Sequence, residues 1–195
     1  MRKDLISSVV AVVALTALLG LAYPLVVTGV GQVVFPGKAD GSMVEHDGKL
    51  VGSALIGQSF AKHPEYFQSR PSATGYSPSA TFFNNQGPNQ RVLADQLKGY
   101  VRTYLRREGP YTPGLTAAKI PADAATTSAS GVDPQISLAN ARIQAARVAK
   151  VRGLPIDRVR ALIDENTDGR FAGVLGDPGV NVLELNLALD AETRR

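Results

Sequence analysis

An apolar run near the start of the chain constrains the fold more than any other feature of the sequence. Between Asp4 and Lys38 the only ionisable side chain is that of Tyr23, and residues 5–35 are largely Leu, Val, Ala and Gly. A bilayer core of about 30 Å needs about 20 apolar residues in an α-helix, and this run is longer. The sequence therefore predicts a transmembrane helix over residues 5–35, with a tilt or a kink at Pro24 to absorb the excess.

A cleaved signal peptide is the alternative to an anchor. Arg2 and Lys3 would form its basic start, and Gly20-Leu21-Ala22 would supply a small-x-small cleavage site. The apolar core of a signal peptide covers only about 7–15 residues, and the longer run here favours the anchor. Because basic residues near a first helix tend to stay in the cytoplasm, we predict a cytoplasmic N-terminus (residues 1–4) and an extracytoplasmic domain (residues 36–195).

Small residues lie four positions apart in the span, Ser7 with Ala11 and Thr16 with Gly20. Such faces let two helices approach closely, so Thr16 and Gly20 are candidate contacts with another membrane helix. Gly and Ala are also common in membrane helices in general, which leaves both interpretations open. The span has no Asp, Glu, Lys or Arg, the side chains that mark ion pathways in membranes, and it is predicted to anchor or pack.

The composition excludes several classes of function. The 195 residues include no cysteine and only two histidines, which excludes disulfide scaffolds, thiolate zinc sites, iron–sulfur clusters and cysteine nucleophiles. The formal net charge is +4, and no basic cluster predicts binding to nucleic acid. The densest basic group, Arg102, Arg106 and Arg107, has helical spacing and is typical of a solvated helix end.

No catalytic or nucleotide-binding motif is complete. The Gly-Lys pairs at Lys38 and Lys49 lack the other residues of a P-loop, and no G-x-S-x-G nucleophile elbow occurs. The carboxylates within residues 164–168 fall where a surface helix is expected to end, and the glycine-rich stretch 173–179 predicts a turn. We therefore assign no catalytic residue, no metal ligand and no nucleotide-binding residue.

Residues 36–195 predict an α+β domain in which helices pack on a small sheet. Apolar periodicity, caps and breakers predict the following elements: strands over 50–57 and 183–189, and helices over 92–105, 137–151 and 155–163. Residues 64–90 and 112–130 are rich in loop-forming residues and could divide the domain. The first of these stretches also carries amides, an arginine and aromatic residues, which are typical of interfaces.

Seven blocks of residues occur in the order that one family shows. They are Tyr23-Pro24-Leu25, residues 52–60, Tyr66-Phe67 with Arg70-Pro71-Ser72-Ala73, residues 128–134, Arg147-Val148-Ala149, Arg152-Gly153-Leu154 and residues 180–190. With these blocks and its single N-terminal span, the chain resembles the C subunit of the bacterial Kdp-type potassium-transporting P-type ATPase over nearly its whole length.

The resemblance implies an accessory, non-catalytic subunit in the bacterial inner membrane. Its partners would be a potassium-channel-like subunit, a P-type ATPase subunit, a small single-span subunit and membrane lipid, but not nucleic acid. The complex would handle ATP and potassium, and this chain would hold no cofactor. The family suggests that the subunit raises the ATP affinity of the ATPase subunit as a catalytic chaperone, or that its outer domain tunes the potassium entrance. The predicted orientation favours the second role, since an outer domain could affect cytoplasmic ATP only by coupling between sites.

Loop residues are the candidate contacts with the partner subunits. We expect the outer domain to contact the channel-like subunit around Gln58, Arg70 and Asn84, while the span packs at its edge through Thr16 and Gly20. The alternative for Gln58 and Arg70 is internal, since both side chains could hydrogen-bond carbonyls of their own loop. The residues alone also permit a stand-alone membrane-anchored binding module and, less readily, an anchored hydrolase.

Overall fold

The computed structural model describes residues 1–80 and 85–193, and the chain forms two compact units, Met1–Ser53 and Ala54–Arg195. The first unit begins with a continuous helix made of α1 (Arg2–Leu15), a π-helical segment (Thr16–Ala22) and α2 (Tyr23–Val34). None of its residues is buried. Among the described residues it is the one helix long and apolar enough to cross a membrane, as the sequence predicted.

The π-helical segment lies immediately before Pro24 in the chain. A proline has no backbone N–H, and its ring crowds the carbonyl four residues earlier, which here belongs to Gly20. The turn is widened, so that the N–H of Tyr23 donates to the carbonyl oxygen of Leu18, five residues back. Thr16 begins the same π-helical segment that contains Gly20, so both candidate packing residues occupy backbone that departs from the regular α-helix.

The rest of the first unit is a helical turn, α3 (Pro36–Ala39), and a hairpin of β1 (Met43–His46) and β2 (Lys49–Ser53). Asp47 and Gly48 connect the strands with φ angles of 52° and 71°, which a two-residue type I′ turn requires. The strand predicted over 50–57 is therefore correct only in its first half. Past the strand, the N–H of Gly57 donates to the carbonyl oxygen of Val132 at 2.7 Å instead of continuing the hairpin.

The second unit packs helices against a small antiparallel sheet, which confirms the α+β prediction. Its helices are α4 (Arg91–Glu108), α5 (Ala122–Ala125), α6 (Leu138–Arg152), α7 (Ile156–Glu165) and α8 (Val182–Thr193), with a 3₁₀ turn at Ala117–Lys119. Its strands, in the spatial order β3-β5-β4, are β3 (Gln135–Ser137), β5 (Gly179–Asn181) and β4 (Thr167–Asp168).

Local signals explain where the predicted helices begin and end. The Ser137 hydroxyl accepts the N–H of Asn140 at 3.1 Å and caps α6, and Gly153 ends that helix with a left-handed φ of 68°. The predicted helices over 92–105, 137–151 and 155–163 correspond to α4, α6 and α7. The core between α6, α7, α8 and the sheet includes the following fully buried side chains: Phe67, Ala141, Ala145, Val148, Val159, Ile163, Val180, Leu185 and Leu189.

The strand predicted over 183–189 is wrong, because these residues form α8. The alternation of leucines with other residues predicts a strand with one solvent-exposed face. In the structure, however, Asn186 is 2% exposed, and in residues 182–189 only Glu184 is exposed. A helix that is buried nearly all round needs no 3.6-residue apolar period. The Asn181 side chain accepts the N–H of Glu184 at 3.2 Å and so caps the first turn.

Candidate functional site

The first part of the long loop between β2 and α4 is fixed to the helices by two buried side-chain amides. Asn186 of α8 accepts the N–H of Phe67 at 2.8 Å and donates to the carbonyl oxygen of the same residue at 3.0 Å. Gln144 of α6 does the same for Gln68, at 2.8 and 3.1 Å. Because backbone polar groups are costly to bury without partners, these amides let an irregular segment enter the core, where the Phe67 side chain is completely buried.

The amide chain continues toward α4 and α5. Gln144 donates to the Asn140 side-chain oxygen at 3.0 Å, and the Tyr104 hydroxyl donates to that same oxygen at 2.9 Å. The Asn140 side chain donates in turn to Asp123 of α5 at 2.9 Å. Burial raises the pKa of the Tyr104 phenol, so the hydroxyl stays protonated and remains a donor.

A charged cluster lies beside these amides. Glu108 and Arg147 are 0% and 1% exposed, and Nε of Arg147 lies 3.0 and 3.1 Å from the two carboxylate oxygens. Arg107 adds a second guanidinium at 2.6 Å from Glu108. Burial lowers the pKa of Arg147, while the Glu108 carboxylate opposes that change. A buried charge in such a site must be paired and hydrogen-bonded to be tolerated.

The Arg147 guanidinium also binds the loop directly. It donates to the carbonyl oxygen of Tyr66 at 3.0 Å, to that of Pro64, and to the Gln144 side-chain oxygen at 3.0 Å. The sequence does not predict the buried pair of Glu108 and Arg147, because Glu108 follows two arginines in a pattern that is typical of a solvated helix end. The one available signal was its position four residues after Tyr104, which places both side chains on the same helix face.

A second arginine holds the same loop against α8. Arg152 pairs with Asp190 at 2.8 Å, donates to the carbonyl oxygen of Glu65 at 2.8 Å, and lies 4.7 Å from the centre of the Tyr66 ring. The Tyr66 hydroxyl donates to Asp190 at 2.7 Å. Burial, followed by the nearby Asp190 carboxylate, raises the pKa of Tyr66. Side chains of α6 and α8, including the charged Arg147 and Arg152, thus bind residues 64–68 through hydrogen bonds.

The predicted contact residues Arg70 and Gln58 both lie in this loop. Arg70 forms an ion pair with Asp133 at 2.9 Å, and its side chain is 24% exposed. The Ser69 hydroxyl donates to the Gln58 carbonyl oxygen at 2.8 Å. Both contacts lie within the domain, but neither is a hydrogen bond from the Gln58 or Arg70 side chain to a carbonyl of their own loop, which was the alternative. A contact of these residues with another subunit stays a prediction. Asn84 lies outside the described residues.

A small cleft lies between the loop and α4. It has a volume of about 180 Å³ and is lined by residues that include Gln68, Tyr76, Tyr104, Arg107 and Asn140. Ligand pockets commonly span about 300–1,000 Å³, so the cleft is small for a substrate. Within residues 1–80 and 85–193, no group of three His, Cys, Asp or Glu side chains is placed to hold a metal ion. The hydrogen bonds of the network hold the first part of the loop against α6 and α8.

The chain is similar to one family over nearly its full length. A sequence model of the family described as "KdpC: K+-transporting ATPase, c chain" matches residues 5–191. Three proteins named potassium-transporting ATPase KdpC subunit are among its relatives. The one from Caulobacter vibrioides (strain NA1000 / CB15N) is 53% identical over 194 residues, covering 98% of this chain and 94% of the relative. The one from Polaromonas naphthalenivorans is 49% identical over 98% of this chain and 96% of the relative. The one from Rhodopseudomonas palustris (strain ATCC BAA-98 / CGA009) is 47% identical over all of both chains.

Proposed function

Because the chain belongs to the family of the C chain of the K⁺-transporting ATPase, we propose that it is an accessory, non-catalytic subunit of an ATP-driven potassium uptake complex. The full-length similarity carries this proposal, since the named relatives share both the apolar helix region and the outer residues of the chain. The described residues add that polar side chains of α6 and α8 order the loop between β2 and α4, which suits a domain that docks on partner subunits.

The proposed location is the bacterial inner membrane. The helix from Arg2 to Val34 would cross the bilayer once, with residues 1–4 in the cytoplasm and residues 36–195 in the periplasm. Two observations support this arrangement: the length and apolar character of the helix, and the placement of Arg2 and Lys3 before it. In this arrangement the outer domain cannot reach cytoplasmic ATP.

The proposed role is to dock on the potassium-channel-like subunit and tune its entrance, with the P-type ATPase subunit and a small single-span subunit completing the complex. The anchored loop supports this role, since a surface that is ordered before binding loses less conformational entropy when a partner docks. Any effect on the ATP affinity of the ATPase subunit would be a coupling free energy between separate sites. ATP and potassium would be bound by other subunits.

Cysteine labelling in cells tests the orientation, since the parent chain has no cysteine. Ala94 is exposed on α4, and an Ala94→Cys variant should react with a membrane-impermeant maleimide in intact spheroplasts. A Lys3→Cys variant is the matched control and should react only after the membrane is permeabilised. Reaction of Ala94→Cys only after permeabilisation would overturn the orientation and the entrance-tuning role with it. Purification of the tagged chain tests the complex: failure to retain an ATPase subunit would favour a stand-alone binding module.

A charge swap separates a partner contact of Arg70 from its internal pairing. Arg70→Glu places a carboxylate beside Asp133 and should reduce both folding and assembly. Adding Asp133→Arg restores an opposite-charge pair inside the domain, at the 2.9 Å contact seen here. If assembly and potassium-dependent ATPase activity return with the double variant, the role of Arg70 is internal. If the domain is folded but assembly stays lost, Arg70 contacts another subunit.

A further inference from the structure

An exposed apolar tip stands out on the second unit. Phe171, Val174 and Leu175 are 77%, 71% and 61% exposed. Among the other described residues of this unit, the exposed large hydrophobic residues are Leu55, Val92 and Val151, at 60%, 65% and 40%, and they are far apart in sequence. Single exposed apolar residues are ordinary, whereas a contiguous apolar patch marks a binding surface. Residues 171–175 are called the apolar tip below.

The apolar tip is ordered by its own backbone. Phe171 and Leu175 exchange two hydrogen bonds, N–H to carbonyl, at 2.8 and 3.0 Å, and the N–H of Val174 donates to the Phe171 carbonyl at 3.2 Å. Ala172 and Gly173 between them have φ angles of 52° and 77°, as in a type I′ turn. Alanine rarely adopts such an angle. The turn therefore orders the backbone that carries these exposed side chains.

The base of the apolar tip is connected to the sheet. Arg170 pairs with Asp177 at 3.3 Å across the two ends of the segment. One step further back, Asp168 of β4 accepts a hydrogen bond from the Gln135 side chain of β3 at 2.7 Å, and β4 itself pairs with β5. The tip is thus mounted on the edge of the sheet. A binding surface that is ordered in advance loses little conformational entropy on docking.

Charge indicates what covers the tip. The ionisable side chains at and beside it are Asp168, Arg170 and Asp177, with an excess of one negative charge. A loop that inserts into an anionic membrane surface normally has a cationic rim, and residues 168–177 have two acidic side chains and one basic side chain. A protein surface has no such requirement, and phenylalanine is enriched at protein interfaces.

We propose that the apolar tip inserts into an apolar cleft on another subunit of the potassium-transporting ATPase complex, with Phe171 as the anchor and Val174 and Leu175 packed around it. This inference rests on the proposed function, since that function supplies the partner. The cleft would be lined by aliphatic or aromatic side chains and would need no acidic or basic group facing Phe171. Arg170 and Asp177, which already pair with each other, would lie at the polar rim.

Photo-crosslinking in the purified complex tests the proposal. Phe171 is replaced by p-benzoylphenylalanine, a residue of similar shape at the anchor position, and the control carries it at Val92, which is 65% exposed on α4. Irradiation of the Phe171 sample should give a covalent product with another subunit of the complex, identified by mass spectrometry. A product with lipid only, a product with a second copy of this chain only, or no product beyond that of the Val92 control would overturn it.

Substitution gives the second test. Phe171→Ser combined with Val174→Ser removes the apolar tip without touching the core, and Val92→Ser is the matched control. Retention of the chain by the complex should weaken at least about tenfold for the tip variant, as for the loss of a central interface anchor, with an unchanged urea midpoint for the isolated chain. Retention equal to that of the control would overturn the proposal. If the unsubstituted chain retains the complex, the proposed function stands whatever these variants show.

Discussion

The buried pair of Glu108 and Arg147 allows the sharpest test of how this domain is held together. Arg147→Ala removes every hydrogen bond that the guanidinium makes to Glu108, to the Gln144 side chain and to the loop carbonyls of Pro64 and Tyr66. Glu108, which is 0% exposed, would keep only Arg107 as a charged partner. The fold would then contain a buried carboxylate with an incomplete set of donors.

Removing one partner of a buried ion pair costs about 3–5 kcal/mol in free energy of unfolding. The two loop carbonyls add little beyond this, because both hydrogen bonds are only partly buried and water can replace the guanidinium there. With a urea dependence of about 2 kcal/mol per molar, we expect the unfolding midpoint of the detergent-solubilised chain to fall by about 2 M. Far-UV circular dichroism measures that midpoint.

Arg142→Ala is the matched control, because Arg142 lies on the same helix but is 60% exposed. Its ion pair with Asp164 is long, with 3.6 Å between Nη2 of Arg142 and Oδ1 of Asp164. An exposed pair of this kind contributes about 0–1 kcal/mol. The double variant Arg147→Met with Glu108→Leu leaves no fully buried charge without a partner, since Arg107, which loses Glu108, is 31% exposed. It should therefore be more stable than Arg147→Ala. The reasoning fails if Arg147→Ala costs less than about 1 kcal/mol, or if the double variant is less stable than Arg147→Ala.

Three further variants test separate parts of the fold. Gly57→Ala would place a Cβ against the carbonyl of Asp133 and should cost about 1–3 kcal/mol of folding free energy through crowding. Gly99→Ala adds a Cβ in open space within α4 and should stabilise the fold by about 0.5–1 kcal/mol. Urea midpoints compare the two variants. Ser137→Ala removes the α6 cap and should cost about 1 kcal/mol by the same assay. Burial raises the pKa of Tyr76 to about 12, above the value near 10 of an unfolded tyrosine. The contribution of the neutral Tyr76 phenol to folding stability is therefore complete below about pH 10 and is lost as the pH rises toward 12. Urea midpoints measured between these two pH values should fall less steeply for Tyr76→Phe than for the unsubstituted chain.

The sequence predicted those elements whose signals are local. α4, α6 and α7 follow from apolar spacing with a cap or a breaker, such as Ser137 before α6 and Gly153 after it. The strands β3, β4 and β5 have two or three residues each, too few for an alternating pattern to be read. α8 was assigned wrongly because its surroundings, which bury nearly every side, come from distant parts of the chain.

The buried network could not be predicted for the same physical reason. Glu108 becomes a core residue only when α4 meets α6, which brings it to an arginine 39 positions later in the chain. The amides of Gln144 and Asn186 bracket loop residues that lie 76 and 119 positions away. A polar side chain in an isolated sequence reads as solvated, and only the tertiary fold shows that its hydrogen bonds are made inside.

The internal use of these polar groups bears on where a partner can bind. The loop around Arg70 combines amides, an arginine and aromatic residues, a composition typical of interfaces. Arg70 nevertheless pairs with Asp133, and the backbone groups of Gln68 and Phe67 bind side-chain amides of α6 and α8. Groups already paired inside the domain gain little from a partner, since each would first have to break its present hydrogen bond. The apolar tip at residues 171–175 has no such competition, because its exposed side chains lose only water on docking. For this domain, the apolar tip rather than the polar loop is therefore the stronger candidate for the surface that contributes binding free energy.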